Sequence, residues 1–124
     1  MKLERIDILS VPVSDQREAK QFYTEALGFE VIRDNPMGPD QRWIQLAPPG
    51  AETSITLVTW FDSMPAGSIQ GLVLTTVDLD ADFAELQSRG VDLSEIETAE
   101  WGRYTTFTDP DGNGWVLHES TSEQ

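Results

Sequence analysis

The sequence predicts an α+β domain built from two βαβββ modules in tandem. Three observations lead there. Apolar residues alternate along several short β-branched runs and switch to helical spacing twice. Each helical run closes on a glycine, Gly28 and Gly90, half the chain length apart. Each is preceded by one strand and followed by others, so duplication of one unit is the economical reading. At 124 residues the chain is expected to be a single domain, residues 1–124, with the repeat spanning about 5–61 and 70–120.

The elements follow in order. Residues 5–13, "RIDILSVPV", alternate as a strand. In the next stretch Ala19, Phe22, Tyr23, Ala26 and Leu27 share one helical face. Asp15 with Glu18 resembles a capping box, and Gly28 stands where a left-handed C-terminal cap belongs. "FEVIRD" (29–34), "RWIQLAP" (42–48) and "TSITLVTWF" (53–61) read as strands parted by Pro/Gly turns. The second unit opens with a strand at 70–77, then a helix at 78–90 with Leu79, Phe83 and Leu86 on one face. "VDLSEI" (91–96) is a candidate short strand, and 101–109 and 113–120 form the closing pair.

Composition narrows the function. Twenty-two acidic against eight basic side chains give a formal charge of −14, a field that repels phosphate backbones and anionic lipid. Neither nucleic acid nor membrane is an expected partner. The N-terminus lacks the apolar core of a signal peptide, and no apolar run approaches a membrane span, so a cytoplasmic protein is expected. The absence of cysteine removes disulfides, thiolate nucleophiles and zinc-thiolate sites. His118 is the single histidine, so a two-histidine, one-carboxylate iron site within one chain is excluded.

Residues 109–113, "DPDGN", carry turn chemistry: Pro110 presets φ, Asp109 and Asn113 can bond nearby backbone, and Gly112 tolerates positive φ. The alternating oxygen ligands and later glutamate of a calcium loop are not met. On the last strand His118 shares a face with Val116 and Gly114, opposite Trp115 and Leu117. It is either a hydrogen-bonded residue at a rim or a candidate catalytic acid or base. Glu119, on the other face, is read as solvated. Four tryptophans are many for this length. Trp115 is expected to pack on a helix. Trp43, Trp60 and Trp101, with Tyr104, are either ordinary packing or a platform for an aromatic or cationic ligand.

The strand before "VPVSDQREAKQFYTEALGFEVI", the later "DLDADFAELQSRGV" and the closing "FTDPDGNGWVLHE" occur in that order across nearly the whole chain. Together they resemble the vicinal oxygen chelate superfamily of glyoxalase I, bleomycin resistance proteins and extradiol dioxygenases. The resemblance implies modules that each curl a sheet into half of a cavity, helices outside, with the cavity usually completed in a homodimer. It also implies metal-ligand positions, which here are Ile8, Gly71 (beside Gln70), Val116 and, more loosely, Thr56 or Val58. None of these retains a good ligand, so no cofactor is expected, with a divalent metal on one imidazole and carboxylates as the remaining option. With alternation, the resemblance places Ile8, Ser10, Gln45, Val73, Thr75, Tyr104 and Val116 on the concave wall.

Three functions fit this reading. The first is a metal-free, small-molecule-binding protein similar to the bleomycin resistance branch. The second is a glyoxalase-like lyase, isomerase or thiol transferase with an atypical metal site or none. The third is a structural or regulatory dimer whose cavity has closed.

Overall fold

The computed structural model describes residues 1–120. The first module runs β1 (Ile8–Pro12), α1 (Gln16–Gln21, continued by a π-helical turn Phe22–Ala26), β2 (Glu30–Pro36), β3 (Arg42–Ala47) and β4 (Ser54–Val58). The second runs β5 (Leu72–Thr75), α2 (Leu79–Ser88), β6 (Glu97–Ala99), β7 (Gly102–Thr108) and β8 (Gly114–Ser120). Each module makes an open four-stranded mixed sheet, ordered β1-β4-β3-β2 and β5-β8-β7-β6. In both, the first strand pairs parallel with the last and the others pair antiparallel. The duplication expected from the two glycines is therefore present in the topology.

The helices start and stop on local chemistry. Asp15 accepts the Glu18 backbone N–H at 3.0 Å and Asp78 accepts that of Ala81 at 3.1 Å. Gly90, with φ +88°, ends α2: its N–H bonds the Gln87 carbonyl, and that of Val91 bonds the Leu86 carbonyl. That pattern is a Schellman cap, sealed by apolar Val91 and Leu86. The α1 end is one residue longer, because Phe29 N–H reaches back to the Tyr23 carbonyl across the π-turn. Thr24 Oγ1 donates to the Lys20 carbonyl at 2.8 Å, the kind of back-bond that loosens a helical ladder. No described helix is long and apolar enough to cross a membrane.

One expectation moves. Residues 91–96 form no strand, and the second strand of the second module lies at Glu97–Ala99. Ser94 N–H does bond the Thr106 carbonyl, but its hydroxyl intercepts the Thr106 N–H at 2.9 Å, and a side chain then stands where a ladder bond would be.

A single core joins the modules. Val11, Ile44, Leu46, Ile55 and Leu57 come from one face of the first sheet, and Phe107, Trp115 and Leu117 from one face of the second. Ala19, Tyr23 and Phe29 lie in the same cluster. Burying each large side chain is worth about 1.5–3 kcal/mol, so this cluster dominates the packing energy. Trp115 packs on α1 as expected, its indole N–H donating to Tyr23 Oη at 3.0 Å.

The "DPDGN" turn pins the modules to each other as well as closing β7 onto β8. Asp109 Oδ1 accepts the N–H groups of Asp111 and Asn113, while Oδ2 accepts Tyr23 Oη–H and Asn113 Nδ2–H. Asn113 Nδ2 also donates to the Pro12 carbonyl, and Asp111 Oδ1 accepts both the N–H and hydroxyl of Ser14. Glu119 corrects its assignment as a solvated residue. Its Oε1 accepts the Leu79 N–H at 2.6 Å, because the first N–H groups of α2 have no intrahelical acceptor.

Candidate functional site

Side chains alternate along a strand, so the core faces of the two sheets define their opposite faces. With Phe107, Trp115 and Leu117 in the core, β7 presents Tyr104, Thr106 and Thr108 on the other side, and β8 presents Gly114, Val116 and His118. The parallel register adds Val73 opposite Val116 and Thr75 opposite His118. Val73 is 58% exposed, an open apolar surface on an otherwise well-packed module. Trp101, just before β7, lies over this face. Its ring stacks on Tyr104 with centroids 4.9 Å apart and planes at 24°, and approaches His118 at 4.9 Å. Trp101 remains 51% exposed.

His118 Nε2 lies 3.0 Å from the Trp101 carbonyl. A carbonyl only accepts, so Nε2–H is the donor in this contact. Across β7, Glu97 is the register partner of Tyr104 and is exposed on the same face. The second sheet thus offers an aromatic shelf of Trp101 and Tyr104, edged by an imidazole and a carboxylate.

The first sheet has the corresponding face. Val11, Ile55, Leu57, Ile44 and Leu46 turn to the core, which leaves Ile8, Ser10 and Pro12 of β1, Ser54, Thr56 and Val58 of β4, and Trp43 and Gln45 of β3 on the other side. Trp43 Nε1 donates to Gln45 Oε1 at 3.1 Å, and Gln45 Nε2 donates to Ser54 Oγ at 2.9 Å. Ser54, Thr56 and Val58 are buried, so this half is more closed than its counterpart. Trp60 follows β4 in a loop, half-buried and 6.2 Å from Phe61.

One chain does not bring these two groups together. Both sheets turn their other faces to the same core. Among the described residues no side-chain hydrogen bond or ring contact joins Trp43 or Gln45 to Trp101, Tyr104 or His118. An open hollow of about 750 Å³ at the turn end of the second sheet is lined by Gly71 and Val116 among others, but not by Trp101, Tyr104 or His118. Sequence alternation missed Ser54 and Thr106 on the concave faces, and it missed Glu97, whose placement depended on locating β6. The parity of Ser54 with Thr56 would have found the first of these.

The glyoxalase/bleomycin resistance protein/dioxygenase superfamily model matches residues 5–117. The chain belongs to this superfamily. It is 39% identical over 121 residues to the uncharacterized protein YetH of Bacillus subtilis (strain 168), covering 94% of this chain and 99% of that protein. Among solved structures it is similar to TnmS3, an antibiotic binding protein from Streptomyces sp. CB03234. That match has 49% identity and a TM-score of 0.93, over 98% of this chain and 99% of that one. A superfamily member from Sphaerobacter thermophilus DSM 20745 matches at 36% identity and a TM-score of 0.86, over 95% of this chain and 98% of that one.

The superfamily's metal chemistry can be tested on the residues present. Ile8 lies on the first concave face, and Gly71 and Val116 belong to the second module. None of the three carries a side-chain donor. Thr56 brings a neutral hydroxyl and Val58 nothing. No group of three or more histidine, cysteine, aspartate or glutamate side chains among the described residues is placed to hold an ion. A divalent cation needs several oxygen or imidazole donors at bonding distance, and this set does not fit one.

Proposed function

We propose that this superfamily member is a metal-free binding protein that sequesters a flat aromatic or cationic small molecule in a cavity shared by two copies of the chain. The observation that carries the reading is the Trp101–Tyr104 shelf, a half-exposed indole stacked on a phenol, beside open Val73. Exposed aromatic faces stack flat ligands and attract cations. Glu97 on the same face, within a chain of net charge −14, favours positive charge. The second copy supplies the missing wall: its Trp43–Gln45 face would close over the shelf. Likeness to an antibiotic binding protein supports a ligand of drug-like size. The donor-poor positions Ile8, Gly71 and Val116 support binding without a metal. The expected compartment is the cytoplasm.

The test is a titration of tryptophan fluorescence with cationic 9-aminoacridine and neutral 9-fluorenone, alongside metal analysis of tag-free protein and its mass in solution. Saturable binding by a metal-free dimer is expected. One tightly held ion per chain with turnover of a hemithioacetal or epoxide would overturn this reading in favour of the glyoxalase-like enzyme.

A further inference from the structure

Thr56 Oγ1 is the one buried side-chain nitrogen or oxygen without a hydrogen-bond partner among the described residues. Thr56 is 2% exposed, in the middle of β4, between Ser10 on β1 and Gln45 on β3. It makes no hydrogen bond to Ser10, and its polar neighbours Gln45 and Ser54 are engaged elsewhere. Gln45 uses its oxygen for Trp43 and its nitrogen for Ser54, while Ser54 Oγ also lies 3.3 Å from the Asp7 carbonyl. A buried hydroxyl without a partner is destabilising, and natural proteins leave few such groups without a use. A valine would fill the same space without that penalty, and Val58 does so two residues along the same face.

We propose that the Thr56 hydroxyl is the polar anchor of the first-module half of the cavity, donating a hydrogen bond to a carbonyl oxygen of the bound aromatic molecule. The inference rests on the binding reading above and adds to it a specificity: aromatic ligands that carry a carbonyl are preferred over their hydrocarbon counterparts. Gln45, the register partner of Thr56 on the same face, is held by single hydrogen bonds to Trp43 and Ser54, and its amide is the group that would turn aside to admit the oxygen. The ligand's aromatic body would then lie against the Trp101–Tyr104 shelf of the second chain.

The experiment compares 9-fluorenone with fluorene, which differ by one carbonyl, on the wild type, Thr56→Val and Thr56→Ser. Thr56→Val is expected to weaken fluorenone roughly fivefold, the factor that one ordinary neutral hydrogen bond makes, and to leave fluorene unchanged. Thr56→Ser keeps the hydroxyl and should keep the preference. Because no internal bond is lost, unliganded Thr56→Val should melt no lower than the wild type. A lower melting temperature would mean the hydroxyl already has an internal partner, and equal losses for both probes would mean no carbonyl bond. Either result overturns the anchor while the binding reading stands, provided Trp101→Ala still weakens both probes. Wild-type protein that binds neither probe overturns both.

Discussion

Tyr23 Oη donates to Asp109 Oδ2 at 2.7 Å, joining the helix of the first module to the turn of the second. Both residues are buried, and the same phenol oxygen accepts the Trp115 indole N–H. Tyr23→Phe would leave that indole without an acceptor and Asp109 with one donor fewer. The expected cost is about 1–3 kcal/mol of stability. Asp109→Ala strips the acceptor from four donors and should cost on the order of 3 kcal/mol or more. Urea denaturation of the two variants checks the order, and an Asp109→Ala midpoint above that of Tyr23→Phe would contradict it.

The same pair sets an alkaline limit. Burial, the Asp109 charge and the hydrogen bond to Asp109 together push the Tyr23 phenol far above its ordinary range, opposed by the hydrogen bond from Trp115 and aided by the Asp111 charge. The folded state therefore holds the neutral phenol, and the unfolded chain ionises first. Stability should be flat below about pH 10 and fall above it, by roughly 1.4 kcal/mol per pH unit for this one group. Tyr23→Phe should remove that part of the slope. Urea midpoints measured from neutral pH to pH 11 give the answer, and equal slopes in both proteins would sink the assignment.

Two glycines should fail differently. Gly67 has φ +81°, and a Cβ there would stand 2.1 Å from the Asp111 carbonyl oxygen. Gly112 has φ +100° with open space around the same position. Gly67→Ala combines a backbone clash with the left-handed penalty and should cost about 2 kcal/mol or more, while Gly112→Ala should cost about 1–2 kcal/mol. Thermal melts rank them. Ligand selectivity should be unchanged in Gly112→Ala and in the bulkier Gly112→Val, since the turn holds the sheet and forms no part of the aromatic shelf.

Trp101→Ala should weaken an aromatic ligand by roughly 1–3 kcal/mol and change stability little, because half of the side chain is already in water. Trp43→Ala should weaken binding on the same scale. It also leaves Gln45 Oε1 without its donor, so a small loss of stability accompanies it. Affinities unchanged in both variants would show that the tryptophans only pack.

Much of this protein is local and so was legible without coordinates. The two helices were announced by Asp15, Gly28 and Gly90, whose cap roles depend only on neighbouring backbone. The face of His118, Val116 and Tyr104 followed from alternation, given that Trp115 and Leu117 face the core. The second strand of the second module was misplaced because the competitor was Ser94, a side chain meeting the Thr106 N–H across a gap in sequence. Glu119 was misjudged for the same reason, since its partner is the start of a helix 40 residues away.

By itself the sequence determined the duplicated βαβββ plan and which residues share a face along most strands, because these are matters of residue type and period, while the family resemblance picked out Ile8, Gly71 and Val116 as the positions that lack a good ligand. The tertiary structure decided that the two sheets share one core, that Trp101 lies on Tyr104, and that the Thr56 hydroxyl is left without a partner. The physical reason is that each depends on how two sheets share one core, and that packing is set by contacts between residues far apart in the chain.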